Sequence, residues 1–132
     1  IKDLVFPTMS EIHFKNLIEI SEWKDFNKNE QLVEEGIRIN ELILINEGQV
    51  SIKAKNNIIG HVSDGGFVGE MSFLTRSKPT ASVTTVTPTT VISWNKLKLE
   101  KLMEKDPMFK NELFNVFSSD LIKKLIEKNE HN

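Results

Sequence analysis

Between Asn27 and Trp94 the chain is broken into short runs rich in β-branched residues, each too short for a helix of several turns and each closed by a turn signal. The runs are EQLVEE, ELILIN, QVSIKAK, NIIGHV, TASVTTV and TTVISW, and Gly36, Gly48, Asn56-Asn57, Asp64-Gly65-Gly66 and Pro88 separate them. In QVSIKA, Val50, Ile52 and Ala54 alternate with Ser51, Lys53 and Lys55, the period of a strand with one face in a core. Many short strands expose many unpaired edges, and folding them into two facing sheets limits that exposure. The expected fold is therefore mainly β, a double-stranded β-helix (jelly roll) of about eight short strands with flanking α-helices.

The flanks change period. Ser10 is a good N-cap, and Ile12, Phe14, Leu17, Ile18 and Ile20 follow among charged residues, so a helix is expected over 10–21. After the β-region, Asn95 can cap a short helix through KLKLEKLM. Asp106 before Pro107 then pairs an N-cap with the residue best suited to the first helical position. The last helix carries Phe109, Leu113, Val116, Phe117, Leu121, Leu125 and Ile126 along one side, a stripe that needs a partner and could form a homodimer seam or a coupling helix. One domain over 1–132 is expected: helix 10–21, β-roll 27–94 and C-terminal helices 96–129.

At 132 residues the chain can bury one core without a disulfide or structural metal. It has no cysteine, which excludes disulfides, thiolate metal sites and a cysteine nucleophile, and a cytoplasmic setting is the expected one. Basic and acidic residues number 17 and 19 and are interspersed, so no nucleic-acid face and no polybasic lipid-binding run are expected in this stretch. Apolar runs such as Leu42–Ile45 fall far short of the roughly 20 residues of a membrane-spanning helix. The start at Ile1, without a basic n-region or cleavage signal, leads to the expectation that upstream residues have been removed.

One piece inside the β-region, FVGEMSFLT from Phe67 to Thr75, does not read as strand. In GGFVGEMSFLTRSKPTASV, Gly65 to Val83, two glycines permit a turn, Gly69 permits close backbone approach, and EMSFL favours one or two turns of helix. Amides near Glu70, Met71 and Ser72 would then lack intrahelical partners and suit an anion such as phosphate. A carboxylate accepts hydrogen bonds and donates none, so Glu70 suits sugar hydroxyls better than phosphate. A phosphate joined to a ribose satisfies both.

The order of helix, short strands, GxFxGE segment and following helices resembles the cyclic nucleotide-binding domain. That domain is shared by catabolite-activator-type transcription factors, the regulatory subunit of cyclic-AMP-dependent protein kinase and cyclic-nucleotide-gated channels. FNKNEQLVEEGIRINELILINEGQVSI matches the family's early strands, and GGFVGEMSFL its phosphate-binding cassette. The resemblance implies that Glu70 binds the ribose 2′-hydroxyl and that Gly69, Met71 and Ser72 hold the cyclic phosphate of cAMP or cGMP. It also counts Thr80 and Ala81 among the ligand-binding residues; in members preferring cyclic GMP a threonine at the place of Thr80 bonds the guanine, while by composition Thr80 is an ordinary strand residue.

The family's phosphate-pairing arginine is missing from its place. Counting forward from Glu70 leads to Pro79, followed by Thr80-Ala81, a departure that resembles Popeye-type relatives. A lost guanidinium fork lowers affinity by roughly two powers of ten or more. Arg76 and Lys78 are candidate compensating cations in the adjoining loop, and a shifted register would make Arg76 the family arginine itself. Trp94 reads as a partly buried strand-end aromatic.

Catalysis is not expected. His13, His61 and His131 are dispersed without metal-ligand spacing, and Glu34, Glu35 and Glu70 form no acid and base pair across one bond. Two functions remain. One is a regulatory cyclic-nucleotide sensor that signals through its C-terminal helices, with no cofactor beyond that ligand. The other is a degenerate domain of the same fold serving as a protein-interaction or oligomerisation module.

Overall fold

The structure is a computed structural model that describes residues 2–130, with side chains described through residue 126. The chain divides into two units, Ser21–Lys96 and the helical segments on either side of it.

The first unit holds eight strands: β1 Ser21–Phe26, β2 Gln31–Val33, β3 Glu41–Glu47, β4 Gln49–Ala54, β5 Asn57–Ser63, β6 Phe67–Val68, β7 Ser82–Thr85 and β8 Thr89–Asn95. They form two four-stranded antiparallel sheets, ordered β1-β8-β3-β6 and β2-β7-β4-β5. This is the double-sheet β-roll that the turn spacing predicts. Val33, Val50, Val62 and Val83 from one sheet meet Ile43, Ile45, Val68 and Val91 from the other in a single apolar cluster, with Phe26, Leu32, Ile39 and Ile52 packed against it. β-Branched residues suit this role, because their restricted side chains pack well on a pleated surface.

β3 is buried along the whole of Leu42–Ile45, on both of its faces. Such continuous apolar runs mark strands covered on two sides. Opposite Ile43 and Ile45, its residues Leu42 and Leu44 pair across the sheet with Trp94 and Ile92 of β8, and all four are buried. Trp94 is therefore a fully enclosed core residue near the strand end.

Two strands depart from the reading of the sequence. The helix expected over 10–21 spans only Glu11–Glu19, and the β-roll expected from 27 already begins at Ser21. SEWKDF is charged and lacks regular alternation; its strand geometry comes from pairing with β8 along six positions, from Ser21 opposite Trp94 to Phe26 opposite Thr89. Phe67 and Val68, which the sequence placed in a non-strand piece, form a two-residue strand against Leu44 and Ile43. Both partners are distant in sequence, so local composition carries no trace of them. At the β4–β5 hairpin the turn residues are Lys55 and Asn56, both with positive φ (50° and 69°), the requirement of a tight twisted hairpin turn.

The described residues also form five helices: α1 Lys2–Val5, α2 Glu11–Glu19, α3 Glu70–Thr75, α4 Lys96–Lys105 and α5 Pro107–Glu130. α3 lies within the β-unit. Ser10 caps α2 by accepting a hydrogen bond from the His13 amide, as its residue type predicts. The buried face of α2 is His13 and Leu17, one turn apart, while Ile12 is exposed. Asp106 caps α5, its Oδ1 accepting from the amides of Met108 and Phe109 at 3.1 and 3.2 Å. Phe109, Leu113, Val116 and Phe117 of the predicted stripe are buried, whereas Leu125 and Ile126 are 62% and 53% exposed. Among the described residues no helix is long and apolar enough to cross a membrane.

Candidate functional site

The stretch from Gly65 to Ala81 passes through the two-residue strand β6, leaves the sheet at Gly69, makes one short helix and returns at β7. At its start Gly65 donates its amide to the Ile45 carbonyl at 2.8 Å, and the Gly66 carbonyl accepts from the Ile45 amide at 2.9 Å, so the segment is clamped to β3 before it turns away. A side chain at Gly66 would collide with Val62 Cγ1.

Gly69 is the pivot. It has φ +89°, a left-handed conformation that costs other residues, and a Cβ there would stand 2.7 Å from Ile39 Cδ1. Its carbonyl accepts from the Phe73 amide at 3.0 Å and starts α3, yet it offers no side chain to cap the helix. The first amides of any helix have no intrahelical partner. Glu70 follows at once and is 3% exposed; Ser72 and Phe73 are also buried, while Met71 is 54% exposed. Buried carboxylates are held in place by polar partners, and this one is enclosed at the head of α3, directly after Gly69.

α3 ends at Arg76, which adopts a left-handed cap with φ +59°. Thr75 Oγ1 donates to the Met71 carbonyl at 2.7 Å and shares a 2.6 Å hydrogen bond with Ser77 Oγ. Arg76, Lys78 and Thr80 are exposed, and Pro79 and Ala81 are half-buried. Thr80 and Ala81 precede β7, so Thr80 is not the strand residue its composition suggested. Chain continuity keeps Gly69 with Glu70, Met71 and Ser72 at the start of α3, and the cations Arg76 and Lys78 follow beyond its far end.

A second segment joins the site from elsewhere in the chain. The loop between β2 and β3 runs beside this stretch: the Gly36 amide donates to the Pro79 carbonyl at 2.9 Å, and Arg38 Nη1 donates to the Arg76 carbonyl at 2.9 Å. Ile39 reaches Gly69, and the Asn40 carbonyl accepts from the Lys96 amide at 2.8 Å. Gly36 was legible as a turn. Arg38 was not legible as a site residue, because its partner lies 38 positions away and an arginine between two isoleucines has no local signature.

The histidines do not converge. His61 is exposed on β5, His13 lies buried on α2, and His131 falls outside the described residues. Among the described residues no group of three or more His, Cys, Asp and Glu is arranged to hold a metal.

The family model described as "Cyclic nucleotide-binding domain" matches residues 23–106, from within β1 to the cap of α5. The chain belongs to that family. It is 29% identical over 104 residues to the mouse potassium/sodium hyperpolarization-activated cyclic nucleotide-gated channel 2, a match that takes in 79% of this chain and 12% of the channel. The chain thus matches only 9% to 12% of the length of its curated relatives. In fold it is similar to a cyclic nucleotide-binding domain from Methylobacillus flagellatus, with TM-score 0.88 at 22% identity over 98% of this chain and 78% of that one. It is similar also to the catabolite activator protein of Thermus thermophilus, with TM-score 0.75 at 16% identity over 96% and 62% of the two chains.

Proposed function

We propose that residues 1–132 work as one regulatory domain that senses a cyclic nucleotide, cAMP or cGMP, in a cytoplasmic setting. Its role is binding rather than catalysis. The observation that carries this reading is Glu70, almost fully enclosed directly after left-handed Gly69, in a chain whose family is the cyclic nucleotide-binding domain. Gly69 and the amides of Met71 and Ser72 receive the cyclic phosphate, Glu70 accepts from the ribose 2′-hydroxyl, and Thr80 and Ala81 complete the ligand's surroundings. The mouse relative is named as gated by a cyclic nucleotide, which supports the same ligand class here.

The cassette departs from the family's arginine pattern, with Pro79 in that place as in Popeye-type relatives. Affinity is correspondingly modest. Signal passes to α4 and α5: Lys96, the first residue of α4, is bonded to Asn40, which belongs to the loop that touches Gly69. A ligand shifts such a linkage only by the difference between its affinities for the two states. Exposed Ile122, Leu125 and Ile126 on α5 suit self-association, which sedimentation velocity would register as a dimer.

Titration calorimetry with cAMP, cGMP and 2′-deoxy-cAMP tests the reading. Binding of one cyclic nucleotide is expected, weaker for the deoxy analogue, and Glu70→Ala should erase that difference. No heat and no thermal shift with either nucleotide at millimolar concentration would refute it.

A further inference from the structure

We infer that Arg38, from the loop between β2 and β3, supplies the positive charge that the cassette lacks at Pro79. The inference rests on the proposed cyclic-nucleotide site and names its phosphate-pairing cation.

Three contacts fix where this loop runs. Gly36 is bonded to Pro79, the position where the cation is missing. Ile39 reaches the α-carbon side of Gly69, where the cassette begins. Between these two lies Arg38, whose Nη1 is held at 2.9 Å by the Arg76 carbonyl. The loop therefore runs along the cassette from its end to its beginning, with Arg38 between the two anchor residues in the chain and its guanidinium bonded at the Arg76 carbonyl.

The chemistry suits the position. A guanidinium carries five N–H donors in a rigid fork and stays charged at any working pH, so one donor spent on Arg76 leaves a cation with further donors on an exposed side chain. The carbonyl it uses belongs to a residue with φ +59° at the end of α3, which pins the loop's direction as it leaves the helix. Arg76 and Lys78, the two cations within the cassette, are both exposed, and the structure ties neither guanidinium nor ammonium across to another segment as it ties Arg38. Arg38 is thus the cation whose approach to the cassette is set by tertiary contacts, and its contribution is electrostatic as well as structural.

Charge and capping can be separated. Arg38→Gln keeps an N–H donor for the Arg76 carbonyl and removes the charge, while Arg38→Lys keeps the charge and a donor without the fork. Titration of cAMP and cGMP into wild type, Arg38→Gln and Arg38→Lys at low and high salt, with thermal unfolding of each, is the experiment. Expected is a loss of about tenfold to a hundredfold for Arg38→Gln, a smaller loss for Arg38→Lys, and a weaker salt dependence for Arg38→Gln than for wild type. Unfolding temperatures should stay close together. Equal affinity of Arg38→Gln and wild type overturns the inference and leaves the cyclic-nucleotide reading intact, as does an equal loss in both variants with unchanged salt dependence. Absence of binding by wild type overturns both together.

Discussion

His13 Nδ1 lies 2.7 Å from Glu112 Oε2, joining α2 to α5 across 99 residues of sequence. The other ring nitrogen, Nε2, lies 2.8 Å from Asp106 Oδ2. A neutral imidazole has one N–H donor, so two carboxylate acceptors on its two nitrogens call for the imidazolium. The hydrogen bond that His13 donates to Glu112 leads in raising its pKa above 6.5, burial opposes it, and the Glu112 charge and the hydrogen bond and charge of Asp106 add to it. Phe109 stacks edge-on at 5.9 Å between ring centroids, and the Ser10 amide also donates to Glu112 Oε2, at 3.4 Å.

The sign of the pH dependence follows. A histidine whose folded pKa exceeds its unfolded value contributes stability that is complete below 6.5 and is lost as pH rises through the folded value. Thermal unfolding followed from about pH 5 to about pH 9 should show a declining midpoint on the alkaline side in wild type, and a flatter curve in His13→Gln. Parallel curves for the two proteins would count against the clamp.

Asp106 performs two tasks with two oxygens. Its Oδ1 accepts from the first turn of α5, and its Oδ2 faces His13. The hydrogen bond from Phe109 is foremost in holding its pKa below 3.8, so its contribution is present above that value and fades as pH falls through the lowered one. Asp106→Asn should keep the cap and blunt the histidine's pH profile, whereas Asp106→Ala should lose both. Circular dichroism against temperature, at neutral and alkaline pH, distinguishes them; equal behaviour of the two variants would show that the cap has no separate role.

Ile45 is fully buried in the cluster that joins the two sheets. Ile45→Ala should destabilise the protein by about 2–5 kcal/mol, through lost burial and the cavity left behind. Urea unfolding would report it as a lower midpoint with an unchanged slope. A midpoint within experimental error of wild type would mean the cluster is not the core.

Two glycines give a paired test of backbone demands. Gly69→Ala places a Cβ on a left-handed residue beside Ile39 and should cost about 1–3 kcal/mol while weakening nucleotide binding. Gly60 has no atom within 4 Å of an added Cβ and no positive φ, so Gly60→Ala should leave both stability and binding unchanged. Similar losses at the two positions would remove the special status of Gly69.

Much of this protein is local, and what is local could be read directly from residue order. Turn residues at Gly36, Gly48 and Asp64-Gly65-Gly66 divide the β-region where the strands divide, and Ser10 and Asp106 start their helices because a side-chain oxygen reaches amides only two or three positions ahead. The family motif is equally compact, with Gly69 capping α3 and Glu70 to Ser72 following on its first turn. Tertiary structure decided the rest. β1 is a strand because β8 pairs with it, Arg38 reaches the cassette because the chain folds Gly36 onto Pro79, and the His13 pKa is raised because two carboxylates 93 and 99 residues away close on its ring. Strand pairing and buried charge both depend on partners that chain order does not bring near, so a residue's own type and spacing determine its local conformation, while its partners across the fold determine its role.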